Sequence, residues 1–255
     1  MTWTTYWKIW HIRMDTLDTY VAHYTPLTER KEHICKSLND DFINLIFEET
    51  LDQEEVTNEM KDKYYSNDES LWIKKCKIYK KAGLGTPEYK ILTPGEISLL
   101  LKAKNIINTI AQSKKPISLY IEDDAVPVKR YLKKLKKLTT KEQDWDVLFI
   151  NLGIGKNFLQ KKLGQRILNP KKLYMLPPPS SNCTEAILFK KEAAIKIAPY
   201  LDAFTLPLDY ELAYIFSKTN LNVMTTSKPI FYQGSKTYNF FRKSIFDESV
   251  RTTLS

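Results

Sequence analysis

Glycine, cysteine and long apolar runs are scarce in this sequence, and each shortage argues against a particular kind of site or segment. Only seven of the 255 residues are glycine, which argues against glycine-rich phosphate-binding loops as a central feature. Cysteine occurs three times, as Cys35, Cys76 and Cys183, with no CxxC pair. This spacing argues against a disulfide framework and a structural zinc site, and it favours a reducing compartment. No apolar run reaches the roughly 18 residues that a membrane-spanning helix needs.

The abundant residues indicate a globular protein with an anionic partner. Hydrophobic residues make up 43% and aromatic residues 12% of a chain long enough for one large domain. The net charge of +9 favours a nucleotide, a nucleic acid or an acidic membrane surface as partner. Residues 1–18 form an aromatic N-terminal extension that basic residues interrupt, unlike a signal peptide. We therefore expect a cytoplasmic protein (the host cytoplasm if the chain is viral) with at most peripheral membrane contact.

Strand-like and helix-like segments alternate along the chain. Short β-branched and aromatic runs between polar or proline-containing breaks predict strands at 19–24, 42–47, 117–125, 146–151, 184–189, 222–225 and 229–232. The alternation predicts an α/β fold whose central sheet is mainly parallel and flanked by helices. The charged region 51–70 has few apolar anchors, so we expect a surface insertion or mobile loop. We expect one domain over 19–240, divided near 126/127 into two halves, followed by a basic tail over 241–255.

The clearest helix signal begins at Thr93. Thr93 can cap the helix, Pro94 occupies its first position, and Glu96 completes a capping box. An apolar stripe on this helix predicts that it packs against the sheet; its members are Ile97, Leu100, Leu101, Ile106, Ile107 and Ile110.

The run from Ile117 to Ala125 contains the strongest functional signal. Its apolar strand ends in three consecutive acids, Glu122, Asp123 and Asp124. Ligands of open α/β sheets bind beyond the carboxyl ends of the strands, where these acids are expected. Because adjacent carboxylates repel one another, we expect a divalent cation, Mn²⁺ or Mg²⁺, with Asp124 as first ligand and Asp123 as second. The alternative is a solvated acidic turn.

Four segments in order resemble glycosyltransferase family 25, which includes bacterial lipooligosaccharide galactosyltransferases and procollagen galactosyltransferase domains. They are a first strand leading to an arginine (20–30), the helix start Thr93-Pro94-Gly95-Glu96-Ile97, the strand ending in Glu122-Asp123-Asp124, and the strand, helix and Pro-Leu-Asp turn of 184–209. With Gln233-Gly234-Ser235, which resembles the family's C-terminal end, the resemblance covers roughly residues 19 to 235. It implies a nucleotide-sugar half up to about residue 126 and an acceptor half after it. The sequence departs from the family at Lys102-Ala103, where the family's helix carries a Ser-His pair.

The resemblance implies a Rossmann-like transferase domain of type A that uses a metal and a UDP-sugar. It implies transfer of a hexose, galactose or glucose, to a glycan, lipid-linked or protein acceptor. It places Thr25, Pro26, Arg30, Glu96, Glu122 and Asp123 at the nucleotide-sugar, with Arg30 near the base or phosphate. A surface position on a helix is the alternative for Arg30.

The resemblance also implies inversion, which needs a general base for the acceptor hydroxyl. Asp209 is the first candidate and Glu211 the second, since residues two apart on a helix point in different directions. Acids are also favoured in the first turn of a helix, which is the structural alternative for both. We treat His11, His23 and His33 as structural.

Two other functions compete with this hypothesis. We predict a helix over 128–138, and its basic residues at 129–137 could serve a nucleic-acid-binding module. We do not expect nucleic acid, because the aromatic residues lie in apolar runs and are not interleaved with basic ones. A catalytically inactive glycan-binding domain is the other alternative.

Overall fold

The computed structural model describes residues 15–89, 91–140, 144–151, 173–181 and 183–235. Seven strands within these ranges form one sheet: β1 (Leu17–Ala22), β2 (Ile43–Glu48), β3 (Ile117–Glu122), β5 (Val147–Phe149), β6 (Leu173–Met175), β7 (Ala186–Lys190) and β8 (Val223–Thr226). Two short strands, β4 (Ala125–Pro127) and β9 (Phe231–Gln233), pair antiparallel beside it. The N-terminal extension up to residue 14 and the predicted basic tail lie outside the described residues.

The described strands have the order β2-β1-β3-β7-β5-β8-β6 in the sheet. β1, β2 and β3 are parallel, β7 runs antiparallel between β3 and β5, and β6 runs antiparallel to β8. All strands except β6 and β7 therefore point the same way. This confirms the predicted α/β fold with a mainly parallel sheet.

Helices cover both faces of the sheet. They are α1 (Thr28–Ser37), α2 (Asn58–Tyr64), α3 (Glu69–Lys81), α4 (Pro94–Gln112), α5 (Tyr131–Thr140), α6 (Lys191–Ile197), which continues into a 3₁₀ turn (Ala198–Asp202), and α7 (Leu208–Thr219). Alternate residues of β1 and β3 enter two different cores: Tyr20 and Tyr120 pack with α4, α6 and α7, whereas Val21 and Ile121 pack with α1 and α5. Side chains alternate between the two faces of a strand, and helices bury both faces of β1 and β3, so residues at both alternating positions are apolar. None of the described helices is long and apolar enough to cross a bilayer.

Helix α4 forms as predicted. The Thr93 hydroxyl accepts from the backbone N–H of Glu96, and the Glu96 carboxylate accepts from the backbone N–H of Thr93, which is a complete capping box. Every member of the predicted apolar stripe is buried in the core with α6 and α7. The capped end of α4 is thereby fixed over the sheet.

The region 51–70 is more ordered than its composition predicts. Thr57 caps α2, Leu51 and Val56 pack against the core beneath α4, and Asp52 is only 6% exposed. The few apolar residues are enough because Leu51, Val56, Tyr64 and Tyr65 all pack against the core. The ion pair between Asp52 and Lys102 of α4, with 2.8 Å between Oδ1 and Nζ, also holds the segment.

Helix α5 begins at Tyr131, later than the predicted Val128. The Val128 N–H donates to the carbonyl oxygen of Ile230 at 2.9 Å, and Arg130 has a left-handed φ of 65°. The positive φ of Arg130 is incompatible with a helix at this position, so the helix begins after it. The basic residues Lys133, Lys136 and Lys137 remain on the exposed face of α5.

Candidate active site

A pocket of about 600 Å³, including the solvent at its mouth, opens at the carboxyl ends of β1 and β3. The chain leaves β1 for β2 on one side and returns to β3 on the other, so the strand order reverses between β1 and β3. In open α/β sheets this reversal point is where ligands bind. Six chain segments line the pocket: the ends of β1 and β3 with the residues after them, Arg30 of α1, Gln53 of the loop after β2, the first turns of α4, and the segment that includes the end of β9.

Asp123 lies in the turn after β3 and is held by three donors. The imidazole Nδ1 of His23 and the backbone N–H of Tyr24 reach its Oδ2 at 3.0 and 3.1 Å, and Arg30 reaches its Oδ1 at 2.8 Å. Burial by itself raises the pKa of Asp123, but the bonds from His23, Arg30 and Tyr24 outweigh it and lower the pKa below its ordinary value. Asp123 is therefore an ionised and compensated carboxylate that ties β1, α1 and β3 together.

Asp124, the next residue, has much weaker compensation. It is 3% exposed and lines the pocket; its Oδ2 accepts from the Ser235 hydroxyl, whereas its Oδ1 has no hydrogen-bond partner among the described residues. The backbone N–H of Gly234 also donates to the carbonyl oxygen of Asp124 at 2.7 Å. Burial, with a further contribution from the charge of Asp123, raises the pKa of the Asp124 carboxyl.

Glu122, the last residue of β3, adds a third acid to the pocket. Its Oε1 accepts from the Thr184 hydroxyl at 2.5 Å. Burial and then the charges of Asp124 and Glu185 raise the pKa of Glu122 well above its ordinary value. Glu185 precedes β7, is 3% exposed and accepts from the side-chain amide of Asn151. Acidic groups thus accumulate beside Asp124, and the sequence did not predict that Glu185 is among them.

The loop after β1 enters the pocket only in part. Arg30, predicted near the nucleotide, lines the pocket and is 4% exposed, so it does not occupy the alternative surface position. Thr25 and Pro26 are exposed and are not among the lining residues. The Thr25 hydroxyl donates to Asp52 at 2.5 Å and thereby connects this loop to the one after β2.

Helix α4 contributes Gly95, Ser98 and Lys102 to the pocket wall. Lys102 is 3% exposed; besides the Asp52 carboxylate, its ammonium reaches the carbonyl oxygens of Thr50 at 2.7 Å and of Glu48 at 3.4 Å. Glu96 is not among the lining residues, because its carboxylate is turned back in the capping box. The sequence analysis assigned no role to Lys102.

The two predicted candidates for the general base occupy different environments at the start of α7. Asp209 is partly exposed, and its Oδ1 accepts from the backbone N–H of Tyr210 at 2.9 Å. Glu211 is 1% exposed; it pairs with Lys75 at 2.5 Å and accepts from the backbone N–H groups of Thr205 and Leu206. Glu211 thus anchors α7 to α3 and has no access to solvent, so the geometry favours Asp209. Neither residue lines the pocket.

The acidic end of β3 fits a metal ion only in part. No group of three or more His, Cys, Asp or Glu side chains in the described residues has the geometry of a metal site. The unpartnered Oδ1 of Asp124 offers one hard oxygen ligand, whereas both oxygens of Asp123 are engaged. A Mg²⁺-like ion commonly binds through one or two carboxylates together with substrate phosphates and water. The donor set therefore fits an ion that binds with a phosphate-bearing ligand.

Several pocket residues were not predicted from the sequence, namely His23, Tyr24, Gln53, Lys102, Gln233 and Ser235. The segment Gln233-Gly234-Ser235 does follow a predicted strand, but nothing local indicates its partner. The Ser235–Asp124 hydrogen bond joins residues that are 111 positions apart.

No protein-family model and no curated protein sequence matches this chain. Three similar solved structures are an inositol-1-phosphate CTP transferase from T. maritima (10% identity, TM-score 0.42, covering 86% of this chain and 89% of that one), the galactosyltransferase LgtC in complex with donor and acceptor sugar analogs (12%, 0.40, 82% and 73%) and mouse xyloside xylosyltransferase 1 in its apo form (10%, 0.35, 82% and 71%). All three are glycosyl- or nucleotidyl-transferases.

Proposed function

We propose that this protein is a metal-dependent, inverting glycosyltransferase that moves a hexose, galactose or glucose, from a UDP-sugar to a hydroxyl of a glycan, lipid-linked or protein acceptor. One observation carries the proposal: a buried carboxylate oxygen of Asp124 without a partner lines the pocket at the reversal point of the sheet. An unpaired buried carboxylate is costly, so such a group is expected where a ligand supplies the missing charge.

The charge balance of the pocket supports a cation together with an anionic ligand. Asp123 is compensated by Arg30, and Lys102 is compensated by Asp52. Asp124 and the neighbouring Glu122 have no ion pair among the described residues, and burial together with nearby acidic charge raises the pKa of both carboxyls. A divalent cation would balance these acids, and a diphosphate would complete its coordination. The nucleotide-sugar is the ligand class that supplies such a diphosphate.

Each residue has a distinct role in this proposal. Asp124 holds Mn²⁺ or Mg²⁺, which supplies Lewis-acid stabilisation of the leaving diphosphate when bound. Asp123 positions Arg30 and the β1 loop and is not a direct ligand. Asp209 takes the proton from the acceptor hydroxyl, and Glu211 keeps α7 in place.

Calorimetric titration tests the donor half of the proposal. UDP, UDP-galactose, UDP-glucose and GDP-sugars are titrated into the protein with and without MnCl₂. We expect one UDP-sugar to bind in the presence of metal, and we expect Asp124→Asn to lose the effect of the metal. The matched control is Asp209→Asn, which we expect to bind the donor normally and to lose turnover.

The result also separates the other functions. Metal-dependent donor binding with no transfer to any acceptor would indicate a catalytically inactive domain. If neither nucleotide-sugars nor metal bind, and binding to RNA or DNA falls steeply with salt, the exposed lysines of α5 would define the function and the proposal would be wrong.

A further inference from the structure

His23, the residue after β1, is more than a structural histidine. It is 1% exposed and lines the pocket, and its ring lies edge-on to Phe47 with centroids 5.8 Å apart. Its Nδ1 lies 3.0 Å from Oδ2 of Asp123. An aromatic contact and a hydrogen bond at one nitrogen therefore hold the ring in place.

The partner of Nδ1 determines what the other ring nitrogen can do. Asp123 also accepts from Arg30 and from the backbone N–H of Tyr24, which keeps its carboxylate ionised and able only to accept. The proton of this hydrogen bond must therefore reside on Nδ1 of His23. In the neutral imidazole Nε2 then carries a lone pair and acts as an acceptor.

Nε2 of His23 is buried and has no hydrogen-bond partner among the described residues. Buried polar atoms of this kind are rare and indicate a missing partner. A phosphate oxygen is not that partner, because an ionised phosphate has no hydrogen to donate. A divalent cation would be the competing ligand of Nε2, and spectroscopy of bound Mn²⁺ distinguishes it from a hydrogen-bond donor.

We propose that Nε2 of His23 accepts a hydrogen bond from the nucleoside of the donor, either from the uracil N3–H or from a ribose hydroxyl. This inference rests on the proposed function, because it requires a nucleotide in the pocket. It makes His23 a specificity residue: a nucleoside without a donor group at this point leaves Nε2 buried and unpaired. Asp123 acts through His23 as a positioning residue, since it fixes the tautomer.

The test is a double-mutant cycle in which substitutions of His23 are combined with changes to the nucleotide, and calorimetry measures the affinity of each combination. His23→Asn retains an amide N–H close to the position of Nδ1 for Asp123 but removes Nε2, and His23→Ala, which removes both ring nitrogens, is a second variant if the first is unstable. Thermal unfolding without ligand checks that each variant folds. UDP, N3-methyl-UDP, 2′-deoxy-UDP and 3′-deoxy-UDP are titrated in MnCl₂ into each protein.

We expect wild type to lose about threefold to tenfold in affinity for one of the three analogues relative to UDP, which is about 0.7–1.4 kcal/mol. We expect His23→Asn to bind UDP more weakly by a similar factor and to show no further loss with that same analogue. The sensitive analogue identifies the base or the ribose as the donor.

Equal losses for the analogues in wild type and in His23→Asn would overturn the inference while leaving the proposed function intact. A nitrogen coupling in the electron spin-echo spectrum of bound Mn²⁺ that disappears in His23→Asn would also overturn it, because Nε2 would then bind the metal. Failure of wild type to bind UDP at all would instead reject the proposed function.

Discussion

Replacement of Asp124 by asparagine should make the protein more stable and less responsive to its ligands. The Asp124 carboxylate is 3% exposed, has one oxygen without a partner and lies beside other acids. An asparagine at this position can still accept from Ser235, and it removes a buried charge. Functional sites commonly contain such destabilising groups, whose replacement raises stability at the expense of activity.

The magnitude follows from the buried charge that the variant removes, since the asparagine amide occupies the positions of the two carboxylate oxygens. A buried acceptor that is left unsatisfied costs about 1–3 kcal/mol, and a charged one costs at least as much. We therefore expect Asp124→Asn to gain about 2 kcal/mol at pH 7 without metal, which is roughly 4–8 °C in Tm for a domain of this size. Part of this gain is offset because Arg30 attracts the Asp124 charge.

The pH dependence provides a second test with a definite sign. Burial raises the pKa of Asp124, so the charged form destabilises the folded state only at pH values where the carboxyl is ionised. The stability difference between variant and wild type should therefore shrink as the pH falls through this raised pKa. Urea unfolding at a series of pH values measures the difference directly.

Ligands should reverse the order of stability. With Mn²⁺ and UDP at about 100 times their dissociation constant, wild type should gain about 2.7 kcal/mol, whereas Asp124→Asn should gain much less. Differential scanning fluorimetry with and without both ligands reports the two effects together. A variant that is less stable than wild type without metal, or one that keeps the full shift with metal and UDP, would refute the reasoning.

Three further predictions concern buried contacts. Asp52→Asn leaves the Lys102 ammonium uncompensated and should cost about 3–5 kcal/mol in urea unfolding. Burial alone raises the pKa of Asp52, but the contacts with Lys102 and Thr25 outweigh it and lower that pKa. The stability from this ion pair is therefore present at neutral pH and is lost as the pH falls through the lowered pKa. An unchanged urea midpoint in Asp52→Asn would contradict the ion pair. Glu211→Gln should destabilise the fold, whereas Asp209→Asn should leave Tm unchanged and lower kcat about 10²- to 10⁴-fold. If unfolding and initial-rate assays show the opposite pattern, Glu211 is the general base and Asp209 is structural. Thr93→Ala should cost about 1 kcal/mol through loss of the cap, whereas Glu96→Gln should retain the cap and normal UDP affinity; a large loss of affinity in Glu96→Gln would assign that residue to the nucleotide.

The sequence was sufficient for the features that local patterns encode. The capping box at Thr93 and Glu96, the apolar stripe of α4 and the acidic end of β3 all depend on residues that are close together in the chain. The carboxyl end of a parallel strand is also a general position for ligands, so the location of the pocket followed from the assignment of β3.

What the sequence did not provide was the pairing of the charged side chains. Asp123 and Asp124 look equivalent in the sequence, yet the partners of Asp123 are 93 and 100 positions away, and the partner of Asp124 is 111 positions away. Which of the two carboxylates is compensated depends on which of these distant donors the fold places beside it. The same holds for Lys102, whose ion pair with Asp52 makes the charged region 51–70 a part of the wall beside α4.

The separate origins of these partners have a consequence for the growing chain on the ribosome. Asp123 can find His23 and Arg30 as soon as β1, α1 and β3 have emerged. Asp124 must wait for Ser235, which follows the pairing of β9 with β4. Two neighbouring carboxylates therefore mature at different times during synthesis, and a nascent chain that already contains the whole acidic triplet still lacks a finished pocket. Nucleotide added during translation should thus protect only chains in which β9 has left the exit tunnel.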